Sequence, residues 1–317
     1  MIAGARLGGG AESRPRAATN PATMALAPDA PIVGIDVGER ALDLAIAGAG
    51  RVRLCRVALV GGDTRARGAI AQLTVRLLDA APELALPGAV AIIDSPRWPR
   101  ASARPAEPRP ASRRIDRRLA AIVRQIKAAR ATPAPALGLW LFPTPALDEF
   151  VRCARDSACP AHLACYACEL FPESLGRASG DSTEGRREPV FTRFMIAGFA
   201  LYSALATTPA ECFEGYPDLA LRLWNNGGHL PPKRAGRRRA LAARRRIVAG
   251  LARRSGLDNP RPKTLDQADA AILAVSAAAA RASGAIAVIE EPEEGRFALA
   301  LDHGDAATIG ITEALAN

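Results

Sequence analysis

Aromatic residues are scarce, at 4% of the chain. The core must therefore be built from Ala, Leu, Ile and Val, in a sequence that is 49% hydrophobic and 23% charged, the balance of a soluble globular protein. No apolar run approaches the ~18 residues that a membrane-spanning helix needs, so no membrane partner is expected. Residues 1–20 are rich in Gly, Arg and Ala and lack the continuous apolar segment of a secretory signal, which makes the cytoplasm the expected location. No internal repeat is present. Acidic residues are the minority sign, 32 against 42 Lys and Arg, for a net charge of +10. That imbalance favours an anionic partner, of which nucleic acid is the commonest.

Cysteine is also sparse. Cys153, Cys159, Cys165 and Cys168, with His162, form the one cluster, and Cys165-x-x-Cys168 has no second pair at zinc-like spacing. Buried thiols are the first reading. A structural zinc at Cys159, Cys165 and Cys168 is the alternative, and disulfides are disfavoured in a reducing compartment.

The length of 317 residues is ample for a substantial core. Residues 1–28 are expected to be a disordered tail, and 29–317 a single domain carrying an insert at about 97–190. Residues 31–37, 42–47 and 52–60 read as three strands joined by short Gly-containing links, a meander. Helical spacing of Ile70, Leu73, Leu77 and Leu78 predicts a helix over 63–81. The run Ala89-Val-Ala-Ile-Ile-Asp94 reads as a buried fourth strand. A strand that follows a helix is expected to be parallel to its neighbour, and the right-handed crossover places it beside the first. Further on, helices are expected over 112–131, 194–205, 218–224 and 234–254 and from Thr264. Strands are expected at 138–142, 211–214, 286–290 and 296–301, and residues 151–190 read as irregular.

The fold class is therefore α/β, and its informative feature is acid in the wrong place. Asp36 lies within an apolar strand and Asp94 ends another. Adjacent strands lie ~4.8 Å apart, so carboxylates at matching heights repel unless one is protonated or a cation sits between them. Asp269 shares a helix face with Ile272, Leu273 and Ser276. Asp266 falls in the first turn of that helix, where an acid complements the dipole, behind a Thr264–Gln267 capping box. Glu214 ends a strand before Gly215-Tyr216-Pro217. Clustered carboxylates without a histidine pattern suit hard cations such as magnesium or manganese. Paired ions of that kind activate water at a phosphodiester.

Several short segments occur in an order that resembles one family: Gly34-Ile-Asp36, Ile93-Asp94-Ser-Pro96, Arg114-Ile-Asp116-Arg-Arg-Leu119, Glu214-Gly-Tyr-Pro217, Asp269-Ala-Ala and Glu294-Gly295. The chain resembles the predicted nucleases catalogued as domain of unknown function, family 429. That resemblance implies an RNase H-like mixed sheet of βββαβαβα type flanked by helices, with inserted segments. It implies metal-bound acids at Asp36, Asp94 and Asp269, with Glu214 or Asp266 completing the set. The Asp-x-x-Asp of the late helix is also similar to Holliday-junction resolvases of that fold class.

Asp36-Val-Gly38 also resembles the first phosphate motif of actin-like ATPases and sugar kinases. Glu39-Arg40 then replaces the hydroxyl residues that meet phosphate there, and no second Gly-rich loop follows. A phosphotransferase remains the third reading. Lys233, Arg234, Arg237, Arg238, Arg244 and Arg245 are expected to form a cationic helix face that tracks phosphates. Arg97, Trp98 and Arg100, directly after Asp94, are expected to stack on a base and hold phosphate. The leading expectation is a metal-dependent nuclease, and the main alternative is a non-catalytic binding module on the same fold.

Overall fold

Strand residues that are apolar on both faces need cover on both faces. The computed structural model describes residues 21–24, 26–59, 68–98, 113–130, 159–171, 192–225, 230–282, 285–292 and 294–310, and it meets that need with helices on either side of a mixed sheet. The strands are β1 (Ala22–Thr23), β2 (Ile32–Val37), β3 (Ala41–Gly48), β4 (Arg51–Ala58), β5 (Val90–Asp94), β6 (Glu211–Glu214), β7 (Ile286–Glu291) and β8 (Gly295–Ala300). The helices are α1 (Ala69–Ala80), α2 (Arg114–Ala129), α3 (Ala161–Leu170), α4 (Thr192–Leu205), α5 (Pro217–Trp224), α6 (Arg237–Arg254), α7 (Leu265–Ala282) and α8 (His303–Thr308).

The spatial order is β1-β7-β8-β6-β5-β2-β3-β4. β2, β3 and β4 form the expected antiparallel meander, and β5 returns parallel to β2. β6 is parallel to β5 and to β8, and β7 runs antiparallel to β8.

Alternation along the strands sorts the core. Val33, Ile35, Leu42, Leu44 and Ile93 face α1, α3 and α4. Ile32, Ala45, Val90 and Ile92 face α6 and α7. By the period of two, Gly34, Asp36, Asp43 and Asp94 share the α7 face. A third cluster joins α2, α5 and α8 to β7 and β8.

Gly34 sets the distance between sheet and helix. A Cβ at Gly34 would lie 2.2 Å from the Ala270 carbonyl oxygen and 2.7 Å from the Ala274 amide nitrogen. Only glycine lets the α7 backbone come this close, and Ala268, Ala270, Ala271 and Ala274, all fully buried, keep the helix side equally thin. Asp269 is thereby lowered toward Asp36, two residues beyond Gly34. Two carboxylates from elsewhere in the chain fix the ends of other helices. Glu294 accepts from the Arg114 and Ile115 amides at 2.8 and 2.7 Å at the start of α2. Glu169 accepts from the Gly68 and Ile70 amides at 2.5 and 2.6 Å at the start of α1. Each supplies partners to amide groups that a helix cannot satisfy internally.

Three expectations need correction. The disordered tail expected over 1–28 does not hold for its last residues, because Ala22–Thr23 pairs with β7, and Met24 and Leu26 pack against the core; residues 1–20 lie outside the described residues. Within the stretch read as irregular, 151–190, Ala161–Leu170 is a helix that buries Leu163, Cys165 and Tyr166. The basic helix begins at Arg237, preceded by a short 3-10 turn at Lys233–Ala235. The strand expected at 138–142 lies outside the described residues. Among the described residues no helix is long and apolar enough to cross a membrane.

The close approach at Gly34 gives a direct test by chemical denaturation. Gly34→Ala must force backbone apart and should destabilise by about 3 kcal/mol, at or above the top of the usual overpacking range. Gly250→Ala, in α6 with nothing within 4 Å of the added methyl, should instead stabilise by about 0.5–1 kcal/mol through helix propensity.

Candidate carboxylate site

Asp36 and Asp94 are register partners on adjacent parallel strands, which places their carboxyl groups side by side. Asp36 is buried, and two carboxyl groups so placed cannot both be charged at low cost unless a cation joins them. Burial first, then the Asp94 and Asp269 charges, raises Asp36 well above the ordinary carboxylate range. Burial first, then Asp269, pushes Asp94 up to about 7, against the pull of Lys233.

Asp269, 1% exposed, enters from α7 with both oxygens engaged. Its Oδ1 accepts from Arg244 Nε at 2.9 Å and its Oδ2 pairs with Lys233 Nζ at 2.5 Å. Arg244 reaches on to Asp218 at 3.5 Å, and Asp218 also holds Arg222 at 2.8 Å. Asp266 lines the same cleft from the first turn of α7. The capping box at the start of α7 takes a variant form. Thr264 Oγ1 accepts from the Gln267 amide at 3.1 Å, while the Gln267 side chain accepts from the Lys263 amide at 2.8 Å instead of from Thr264.

Glu214 also faces this cleft, but its oxygens are taken. Arg113 grips it in a fork at 2.8 and 2.7 Å, and the Arg97 amide donates to it at 2.7 Å. Arg113 is itself held by Asp116 at 3.0 Å. Glu214 thus ties Arg97 to Arg113, and the geometry gives it a bracing role at the cleft wall.

The cleft has a volume of about 630 Å³. Its lining sets eight carboxylates (Asp36, Glu39, Asp94, Asp116, Glu214, Asp218, Asp266 and Asp269) against four cations (Arg113, Arg222, Lys233 and Arg244). A chain of net charge +10 therefore concentrates negative charge in this cleft. Among the described residues, no three His, Cys, Asp or Glu side chains converge, as they stand, to hold a metal ion. The donor chemistry nevertheless fits a hard divalent cation. The central groups are all carboxyl oxygens, and two of them are close enough to need either a shared proton or a cation.

The cationic residues divide. Arg234, Arg237, Arg238 and Arg245 are exposed, on or beside α6, with Arg245 Nε donating to the Pro262 carbonyl at 2.6 Å. Arg244 does not belong to that face: it is 1% exposed and serves Asp269 and Asp218. The spacing of Ala240, Ala243, Ile247, Val248 and Leu251 places residue 244 on the buried stripe, a signal that the arginine run obscures. Lys233 points inward to Asp269 as well. Trp98 is exposed, two residues beyond Pro96 of the cleft lining, and Arg100 lies outside the described residues.

Asp43 escapes a sequence reading. It is the register partner of Asp36 on β3, 2% exposed, with Oδ1 unpartnered among the described residues and Oδ2 3.7 Å from Arg56. Its signal is the hairpin itself, because pairing Val37 with Leu42 across the Gly38–Arg40 turn sets Asp43 opposite Asp36. Of the cysteines, Cys159 and Cys165 are buried, Cys168 is exposed, and Cys153 lies outside the described residues. Comparison with protein families, with curated proteins and with solved structures finds no match.

The raised carboxyl groups fix the sign of a pH effect. Asp36 and Asp94 bind protons in the folded chain that they release when unfolded at ordinary carboxylate values. Their contribution to stability is therefore complete below about pH 4 and is lost as pH rises toward 7. In chelator-treated protein, the denaturation midpoint should fall across this window, and Asp94→Asn should flatten the fall. An unchanged slope in that variant would contradict the pairing.

Proposed function

We propose that the chain is a metal-dependent phosphodiester hydrolase, a nuclease built on an RNase H-like sheet. The observation that carries this reading is the placement of Asp36 and Asp94 side by side on neighbouring parallel strands, beneath Asp269 of α7, at the floor of an acidic cleft in a basic protein. The strand order β4-β3-β2-β5-β6, with an antiparallel meander followed by parallel strands, supports the RNase H-like assignment and the resemblance to family 429. Asp36, Asp94 and Asp269 would hold magnesium or manganese, with Asp266 at the edge of the set. Bound there, such ions lower the pKa of water and neutralise charge on a departing oxygen. The exposed arginines of α6 contact phosphates without reading sequence, while Trp98 offers an exposed stacking face.

One observation favours a second reading. Asp269 already has two cationic partners, as it would in a non-catalytic binding module that needs no metal. A metal titration separates the two.

Purified protein should cleave labelled DNA or RNA oligonucleotides in magnesium or manganese and lose this activity in chelator. Asp36→Asn should reduce cleavage by at least about 100-fold while the chain still folds. Undiminished cleavage by the variant, or in chelator, would overturn the mechanism.

A further inference from the structure

Each oxygen of the Asp269 carboxylate already faces a cation, Arg244 at one and Lys233 at the other. A lone pair remains on each, but a divalent ion approaching either oxygen meets a resident positive charge, and the repulsion is relieved if one partner withdraws. Arg244 is not that partner. Its side chain is 1% exposed, it rises from the middle of α6, and it bridges Asp269 to Asp218, so withdrawal would strand a buried guanidinium. Lys233 is built differently. Its side chain is 48% exposed although its ammonium reaches Asp269. It stands in a single 3-10 turn between Pro232, with φ −64°, and Gly236, with φ +150°, and rotation of the side chain alone would take the ammonium off Asp269. The same positive charge also acts on Asp36 and Asp94. Lys233 thus occupies the electrostatic position that a divalent cation would take.

We infer that Lys233 is the resident counter-cation of this cleft and competes directly with a divalent metal ion for Asp269. Arg244 is the permanent partner of the carboxylate and Lys233 the exchangeable one. In the metal-free chain the ammonium keeps the buried acids from facing one another unneutralised. When the ion enters, the flexible four-carbon stem carries the charge back to solvent at small cost. Lys233 is a positioning residue in this scheme: it sets the affinity of the site for metal. The inference rests on the metal-binding part of the proposed function and is independent of whether any phosphodiester is cut.

The experiment is calorimetric titration of manganese alone, without nucleic acid, into wild-type chain, Lys233→Met and Lys233→Arg. Lys233→Met keeps the length and removes the charge. It should bind manganese at least about tenfold more tightly, and Lys233→Arg should stay within a few-fold of wild type. Metal binding by Lys233→Met with none measurable in wild type would support the inference equally. Equal affinity in wild type and Lys233→Met would overturn the competition and leave the metal site standing. No binding by any of the three would overturn both. A shift of the Lys233 Nζ resonance on adding zinc or magnesium to isotope-labelled wild type gives an independent readout. Retention of its metal-free position at saturation would also contradict the exchange.

Discussion

Two carboxyl groups forced side by side in the interior are the constraint on which this structure turns. Asp36 and Asp94 cannot both be charged at that separation without a cation, and neither can turn away, because each belongs to a strand whose register is fixed on both sides. Everything near them answers to that fact. Burial and mutual repulsion raise both strand carboxyls, Lys233 leans in from a turn, and Arg244 is buried from α6 to hold Asp269. A fold that sought only stability would place apolar side chains here, since replacing buried ionic groups by apolar ones often stabilises. The sheet instead accepts a standing electrostatic cost, and that cost is confined to one end of one face.

The surrounding architecture holds the constraint in place. Gly34 lets α7 settle directly on β2, so the Asp269 carboxylate and the strand acids share one space. The meander adds Asp43 to the same row, with Arg56 as the cation at its outer end. On the other flank, Glu214 binds Arg113 and the Arg97 amide and so braces the cleft wall. Glu294 fixes the start of α2 close by. Several of the short acidic segments visible in the sequence thus do different work: some crowd charge, and others clamp backbone.

Much of the sheet and the central acids could be read in the sequence because they obey local rules. Continuous apolar runs with Gly-rich links gave the meander, and a carboxylate within such a run has few innocent explanations. What was not legible depends on tertiary direction. Lys233 and Arg244 sit in a basic run whose composition suggests a solvated face, yet helix phase and one turn send both inward. The partner of Glu214 lies 101 residues away, at the edge of a Pro/Arg-rich segment that carries no periodic pattern. The helix at Ala161–Leu170 was hidden because six of its ten residues are Cys, Ala and His, which carry little of the spacing signal that Leu and Ile supply.

The role proposed for these acids is to hold a divalent cation. The most direct measurement is a crystal structure grown in manganese, with data collected at its absorption edge. The account predicts an anomalous peak enclosed by Asp36, Asp94 and Asp269, with the Lys233 side chain turned away from Asp269. No peak in the cleft at saturating manganese, with Lys233 still paired to Asp269, would contradict it.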